Sequence, residues 1–167
     1  MLPDDQLGDT RELHLAWLDF YRETVERKLT GLSEAELVTS RLPSGWSPLE
    51  LLKHLVFMER RWLRWGFAAE PFDQPFADSG GIDDGPWLLE PTDNLDDLLA
   101  ALRAGGERAR EIVTGDLGAK AVVGGRFGVE GEPPTLNWIL FHVLQEYARH
   151  VGQLDIAREL ADGATGE

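Results

Sequence analysis

Ser47-Pro48-Leu49-Glu50-Leu51-Leu52-Lys53-His54-Leu55-Val56-Phe57 carries the clearest helix start in the chain. A serine side chain can accept from an exposed first-turn amide, proline suits the first helical position, and the glutamate three residues after the serine can close a capping box. The spacing predicts a helix from here to about Phe67. Upstream, Leu13, Trp17, Phe20, Tyr21 and Thr24 recur at three- and four-residue steps, predicting a helix from about Asp9 to Leu29. Gly31 ends it, and Ser33-Glu34-Ala35-Glu36 can nucleate a short helical turn. Downstream, about Thr92 to Thr114 places Leu95, Leu98, Leu99 and Leu102 on one side, with Gly105-Gly106 expected to loosen the middle. A last helix begins after Pro133-Pro134, with Thr135 as its cap, and continues to about Ala161 before Gly163. Four helices of this length predict an all-α chain folded as an antiparallel four-helix bundle, with residues 1–167 as a single domain.

At 167 residues and 43% hydrophobic, the chain can bury a core without cross-links. It has no cysteine, which excludes disulfides, a thiolate metal site, a catalytic cysteine and an iron–sulfur cluster. The net charge of −14 opposes nucleic-acid binding, which needs a basic surface to displace counterions from phosphates. No apolar run approaches the roughly 20 residues that span a bilayer, and Met1-Leu2-Pro3-Asp4-Asp5 lacks the basic and apolar stretches of a signal peptide. The expectation is a cytoplasmic protein with neither nucleic acid nor membrane as partner.

Two connections, Glu70 to Pro91 and Gly115 to Pro134, exceed ordinary bundle loops. They either cover a pocket or pad the surface, and Ala121-Val122-Val123 can form a small strand.

The last helix contains His142-Val143-Leu144-Gln145-Glu146-Tyr147-Ala148-Arg149-His150-Val151-Gly152-Gln153. Glu146 and His150 are four apart, so their side chains project about 40° apart around the axis and can meet one ion. His142 extends the same side by another turn. His54 sits in an apolar context, where an unpaired imidazole is costly to bury, so it requires a polar partner. Two imidazoles and one carboxylate suit a divalent transition metal, with positions left for water or substrate. The same spacing also occurs on solvated helices, and a buried histidine also occurs as a satisfied core residue, so spacing alone leaves both readings open.

The segments Ser44-Gly45-Trp46-Ser47-Pro48-Leu49-Glu50-Leu51-Leu52-Lys53-His54-Leu55, Met58-Glu59-Arg60-Arg61-Trp62 and Glu146-Tyr147-Ala148-Arg149-His150-Val151-Gly152-Gln153-Leu154-Asp155 resemble the DinB-like, YfiT-like superfamily, closest to its large actinobacterial branch. Order and spacing agree along nearly the whole chain. The resemblance implies a four-helix bundle, often dimeric, that holds a divalent ion with one histidine of the second long helix and two residues four apart on the last. Those positions here are His54, Glu146 and His150. Many members carry histidine in place of Glu146, and the His, Glu, His set is similar to the metal-binding domain of mycothiol-dependent maleylpyruvate isomerase. The closest branch often has histidine at the position of Gln153 and arginine at that of Asn137.

What the resemblance implies chemically is an S-transferase that joins a low-molecular-weight thiol, mycothiol or in other relatives bacillithiol, to a small electrophile. The metal, zinc or alternatively nickel, would bind the sulfur, lower its pKa and hold a thiolate beside the electrophile. Mycothiol belongs to actinobacteria, and 13 arginines against 3 lysines agree with the high-GC coding of such a host. Two other readings stay open: a metal-dependent hydrolase whose ion generates hydroxide, and a non-catalytic bundle that binds a small ligand or acts as a dimeric partner.

Arg61 lies seven residues after His54 and should share its face, where it either holds a substrate carboxylate or forms an ion pair. His142 reads as a pocket residue toward the cosubstrate or as packing. Glu59, Arg149 and Asp155 are expected to form interhelical ion pairs that orient the ligands. Trp46 reads as a staple of the helix entrance, and His14 as structural. Trp17, Trp62, Trp65 and Trp138 read as core or homodimer-interface residues.

Overall fold

Capping chemistry sets the helix boundaries in the computed structural model, which describes residues 2–165; Met1 of the amino-terminal stretch lies outside them. Helix α1, Thr10–Leu29, starts where the Asp9 side chain accepts from the Glu12 amide. Helix α2, Glu34–Val38, is one capped turn, with Ser33 and Glu36 forming a reciprocal capping box. Helix α3, Pro48–Glu59, begins with the expected capping box of Ser47 and Glu50 and with Pro48 in its first turn. Helix α4, Leu95–Ile112, starts three residues later than the leucine pattern suggests, because Asn94 caps it by accepting from the Asp97 amide. Helix α5, Leu136–Asp162, runs from the Thr135 cap to Gly163, whose left-handed backbone (φ 78°) ends it.

The four long helices form the bundle: α1 and α3 each pack against both α4 and α5. The centre of their seam is apolar. Leu18, Val25 and Leu29 of α1 meet Leu51, Leu52 and Leu55 of α3 and Leu136, Ile139, Leu140 and Leu154 of α5, all fully buried. Each such side chain stabilises the fold by about 1.5–3 kcal/mol relative to exposure. On α4 the expected leucine face holds, with Leu98, Leu99 and Leu102 buried.

The structure departs from the sequence reading in four places. First, the stretch expected to continue α3 as ordinary helix to Phe67 is π-helical over Arg60–Phe67. The wider turn ends against the connection 115–134, whose Val122 and Arg126 amides donate to the carbonyls of Phe67 and Trp65. A Cβ on Gly125 would fall 1.9 Å from the Trp65 carbonyl oxygen, so only glycine allows that approach. Second, no strand forms at Ala121-Val122-Val123 among the described residues; an isolated bridge between Lys120 and Thr135 stands there instead. Third, the buried stripe of α1 is His14, Leu18, Arg22, Val25 and Leu29. Of the residues expected to lead that stripe only Thr24 is buried, while Leu13, Trp17 and Tyr21 line a surface groove with Phe141 and Leu144 of α5. Broad aromatic rings can satisfy a helical period while covering the edge of a seam instead of its centre. Fourth, α4 stays helical through Gly105-Gly106. A Cβ on Gly106 would meet the Arg22 side chain at 3.2 Å, so the pair leaves room for a buried arginine.

Candidate functional site

His54 stands on α3 inside its leucine run, and Glu146 and His150 stand one turn apart on the neighbouring α5. One ligand atom from each lies within 4.8 Å of the others. The two imidazoles meet edge to face, ring centroids 4.9 Å apart, so their nitrogens converge without the rings stacking.

Each imidazole is oriented through its Nδ1. That of His54 lies 3.1 Å from Asp78 Oδ2, and since a carboxylate only accepts, Nδ1 carries the hydrogen and Nε2 the lone pair. That of His150 lies 2.8 Å from Gln153 Oε1 and donates to it in the same way. His150 Nε2 then faces Glu146 Oε2 at 3.1 Å, acceptor to acceptor. Either a proton or a cation has to lie between them. This juxtaposition, with a second imidazole lone pair beside it, fits the donor set that a divalent transition ion takes.

Charge states agree with that fit. Burial holds the His54 imidazole below its usual pKa, outweighing the hydrogen bond to Asp78, so it is neutral and free to ligate. When it is a proton that lies between His150 and Glu146, its hydrogen bond keeps the Glu146 carboxyl below the usual range, against the opposing effect of burial. Burial raises the Asp78 pKa, but hydrogen bonds from His54 and Arg61 overcome it and keep this carboxylate charged although it is fully enclosed.

Asp78 comes from the connection between α3 and α4, so that loop covers a pocket and does not merely pad the surface. Arg61 grips Asp78 with both terminal nitrogens, at 2.5 and 3.0 Å, and donates to the Pro75 carbonyl. Of the two roles open to Arg61, the structure shows the ion pair: it lines the cavity, but its guanidinium is turned to the loop. Trp87 of the same loop stacks on His54, centroids 4.4 Å apart and planes 21° apart, and meets His150 edge-on. Around these groups is a cavity of about 280 Å³ walled by His54, Asp78, Trp87, Glu146, Arg149 and His150 among others.

Other residues fall elsewhere. His142, one turn before Glu146, sits in an aromatic slot, stacked on Trp138 and 4.1 Å from Trp62, outside the three-residue cluster. Trp138 is 52% exposed, on the outer side of a turn whose Leu136, Ile139 and Leu140 are buried, so of its two readings, core and homodimer interface, the core one is corrected. His14 Nε2 is 3.2 Å from Asn137 Oδ1, a structural pairing away from the cavity. Glu59 does tie helices together, accepting from Arg22 of α1 and from the Tyr147 hydroxyl of α5. Asp155 pairs with Lys28 across α1 and α5. Arg149 departs from the expectation: its ion pair, at 3.9 Å, is with Glu146 on its own helix. Asp78 and Trp87 carried no spacing signal. The need of His54 for a polar partner and the length of the loop were the available hints.

The sequence profile of a family described as mycothiol-S-transferase matches residues 13–163, which takes in every helix of the bundle except the first turn of α1. Over 134 residues the chain is also 29% identical to the dihydrofolate synthase/folylpolyglutamate synthase of Escherichia coli (strain K12). That match covers 77% of this chain and 32% of the other, so the chain spans about a third of the length of this curated relative. A likeness confined to a third of a longer protein carries over none of the reaction in its name.

Proposed function

The chain belongs to the mycothiol-S-transferase family, and from that premise we propose that it joins the sulfur of mycothiol to a small electrophile with the help of a divalent transition ion, zinc or alternatively nickel, held by His54, Glu146 and His150. The observation that carries this reading is the set of two Nδ1-anchored imidazoles and one ionised carboxylate converging on one point. When bound, such an ion supplies Lewis acidity that lowers the pKa of a thiol or water. Glu146 contributes the one negative charge among the three ligands. Asp78 and Gln153 hold the imidazole rings so that their lone pairs stay directed inward, and Trp87 covers the face of His54 against water. The chain has no cysteine, so the nucleophilic sulfur has to arrive with the cosubstrate.

In the same reading residues 1–167 act as one bundle domain in the cytoplasm, as a homodimer. Exposed Phe141, Ile156 and Leu160 on α5 support a second copy as partner. No helix among the described residues is long and apolar enough to cross a membrane.

The test is turnover of metal-loaded protein across a panel of electrophiles, with and without mycothiol. Glu146→Gln is expected to cut thiol transfer at least tenfold, because a neutral amide offsets less of the ion's charge and binds it less well. Glu146→Asp keeps the charge on a shorter arm and should be milder. Full-rate hydrolysis without thiol would favour the metal-dependent hydrolase instead. Binding of a small molecule without any turnover would favour the non-catalytic bundle.

Asp78→Asn should lower transition-metal affinity about 10- to 100-fold, since it removes the charge that fixes the His54 ring, and should also cost stability because Arg61 loses its buried counter-charge. Competition with a chromophoric chelator measures the affinity. An unchanged affinity would mean that Asp78 serves only to hold its loop through Arg61.

A further inference from the structure

Beside the candidate metal centre lies a second cavity, of about 460 Å³, with Ser44, Trp46, Trp87, Arg149, His150 and Gln153 on its walls. It shares Gly85, Trp87, Arg149 and His150 with the 280 Å³ cavity around His54 and Glu146, so His150 borders both. The two differ in chemistry. Asp78, Asp83 and Asp84 stand in the smaller one, whereas the larger has no acidic side chain on its wall. Its walls are instead two half-buried indoles with hydroxyl, amide and guanidinium donors between them. Trp46 precedes the cap of α3 and Trp87 comes from the loop before α4. Their ring centroids are 5.9 Å apart with planes inclined at 55°, an open angle instead of a closed stack. Gln153 gives its carbonyl oxygen to His150, which leaves its amide N–H groups to donate. Arg149, with one long ion pair at 3.9 Å, is exposed at the rim.

Indole faces flanked by polar donors suit a polyhydroxylated ring, whose C–H face packs on the aromatic surface while its hydroxyls reach the flanking groups. We infer that this cavity is the subsite for the carrier of the thiol: the sugar and cyclitol rings of mycothiol pack on Trp46 and Trp87, hydroxyls toward Gln153, Arg149 and Ser44, with the sulfur at the His150 border. The smaller cavity is then left to the electrophile. This rests on the thiol-transfer reading above. It also gives Trp46 a role beyond the staple of the helix entrance expected from the sequence.

Two unreactive probes test it by calorimetry on metal-free protein: S-methyl mycothiol, and the sulfur-free glucosaminyl-inositol. For both, Trp46→Leu is expected to bind about tenfold more weakly than wild type, and Trp46→Phe, which keeps a smaller aromatic face and the staple, about threefold more weakly. Trp46→Phe decides the matter if Trp46→Leu does not fold. Equal affinity in wild type and Trp46→Phe for both probes, or no binding of S-methyl mycothiol to wild type, overturns the subsite. Mycothiol transfer that persists with binding indifferent to residue 46 overturns the subsite and leaves the proposed function intact. Trp46-dependent binding without transfer to any electrophile supports the subsite and counts against the transferase.

Discussion

His150→Ala protein is expected to fold and to lose its bound transition metal, about one equivalent per chain in the wild type, with affinity falling by more than about 100-fold. The argument is one of ligand count. Removing an imidazole leaves His54 and Glu146, one donor on each of two helices, and two protein ligands do not hold such an ion against water. The loss should exceed the 10- to 100-fold effect of removing a group that merely orients a ligand. Alanine is a good helix former, and the bonds lost, to Gln153 and Glu146, both lie within α5, so the bundle itself should survive. Elemental analysis of tag-free protein, with circular dichroism as the check on folding, measures this. His54→Ala should behave alike. His14→Ala and His142→Ala are the controls and should keep the metal, because one imidazole is paired with Asn137 and the other lies between Trp62 and Trp138. Unchanged metal content in both His54→Ala and His150→Ala would reject the assignment.

What could be read in advance was what is local. A capping box needs only Ser47 and Glu50 at their spacing, and Thr135 and Gly163 mark the ends of α5 by equally short-range chemistry, so the helix ends were legible to within a few residues. Glu146 and His150 share a side of α5 because helical geometry puts them there. That His54 meets them is a relation between helices, which spacing leaves open and which entered through family resemblance. Asp78 and Trp87 were invisible because the placement of a loop residue depends on what the loop packs against: here Arg61 grips Asp78 and His54 receives the indole. The π-helical turn after Glu59 escaped for a related reason, its ends being matched to the loop amides of Val122 and Arg126. The aromatic period of α1 misled because it records a half-buried edge, while the true seam contains Arg22 and His14, which a hydrophobic pattern cannot count.

Arg22 leads to the second large effect. Glu59→Ala is expected to destabilise the fold by about 3–5 kcal/mol, since of the two carboxylates that Arg22 meets it removes the buried one and leaves only Asp19, which is partly exposed and shared with Arg110. The Glu59 carboxylate accepts from Arg22 at 3.0 Å and from the Tyr147 hydroxyl at 2.6 Å, so one group joins α1, α3 and α5. Burial, reinforced by the Glu59 charge, pushes the Tyr147 hydroxyl well above its usual pKa and keeps it a neutral donor. Gly105 and Gly106 of α4 close over the pair, and a Cβ at either would come within about 3.3 Å of Glu59 or Arg22. Removing both charges is a different matter. In Arg22→Met with Glu59→Leu nothing buried is left unpaired except the tyrosine hydroxyl, and most of the loss should be recovered. Urea denaturation of the two single variants and the double variant gives the coupling directly. A cost below about 1 kcal/mol for Glu59→Ala would mean that solvent reaches the pair and that it does not tie the helices together. The same cycle tests the link to the candidate site, because α3 carries both His54 and Glu59, and Tyr147 sits between Glu146 and His150. If the double variant regains stability but binds metal more weakly than wild type, the buried pair sets the register of α3 against α5 as well as holding them.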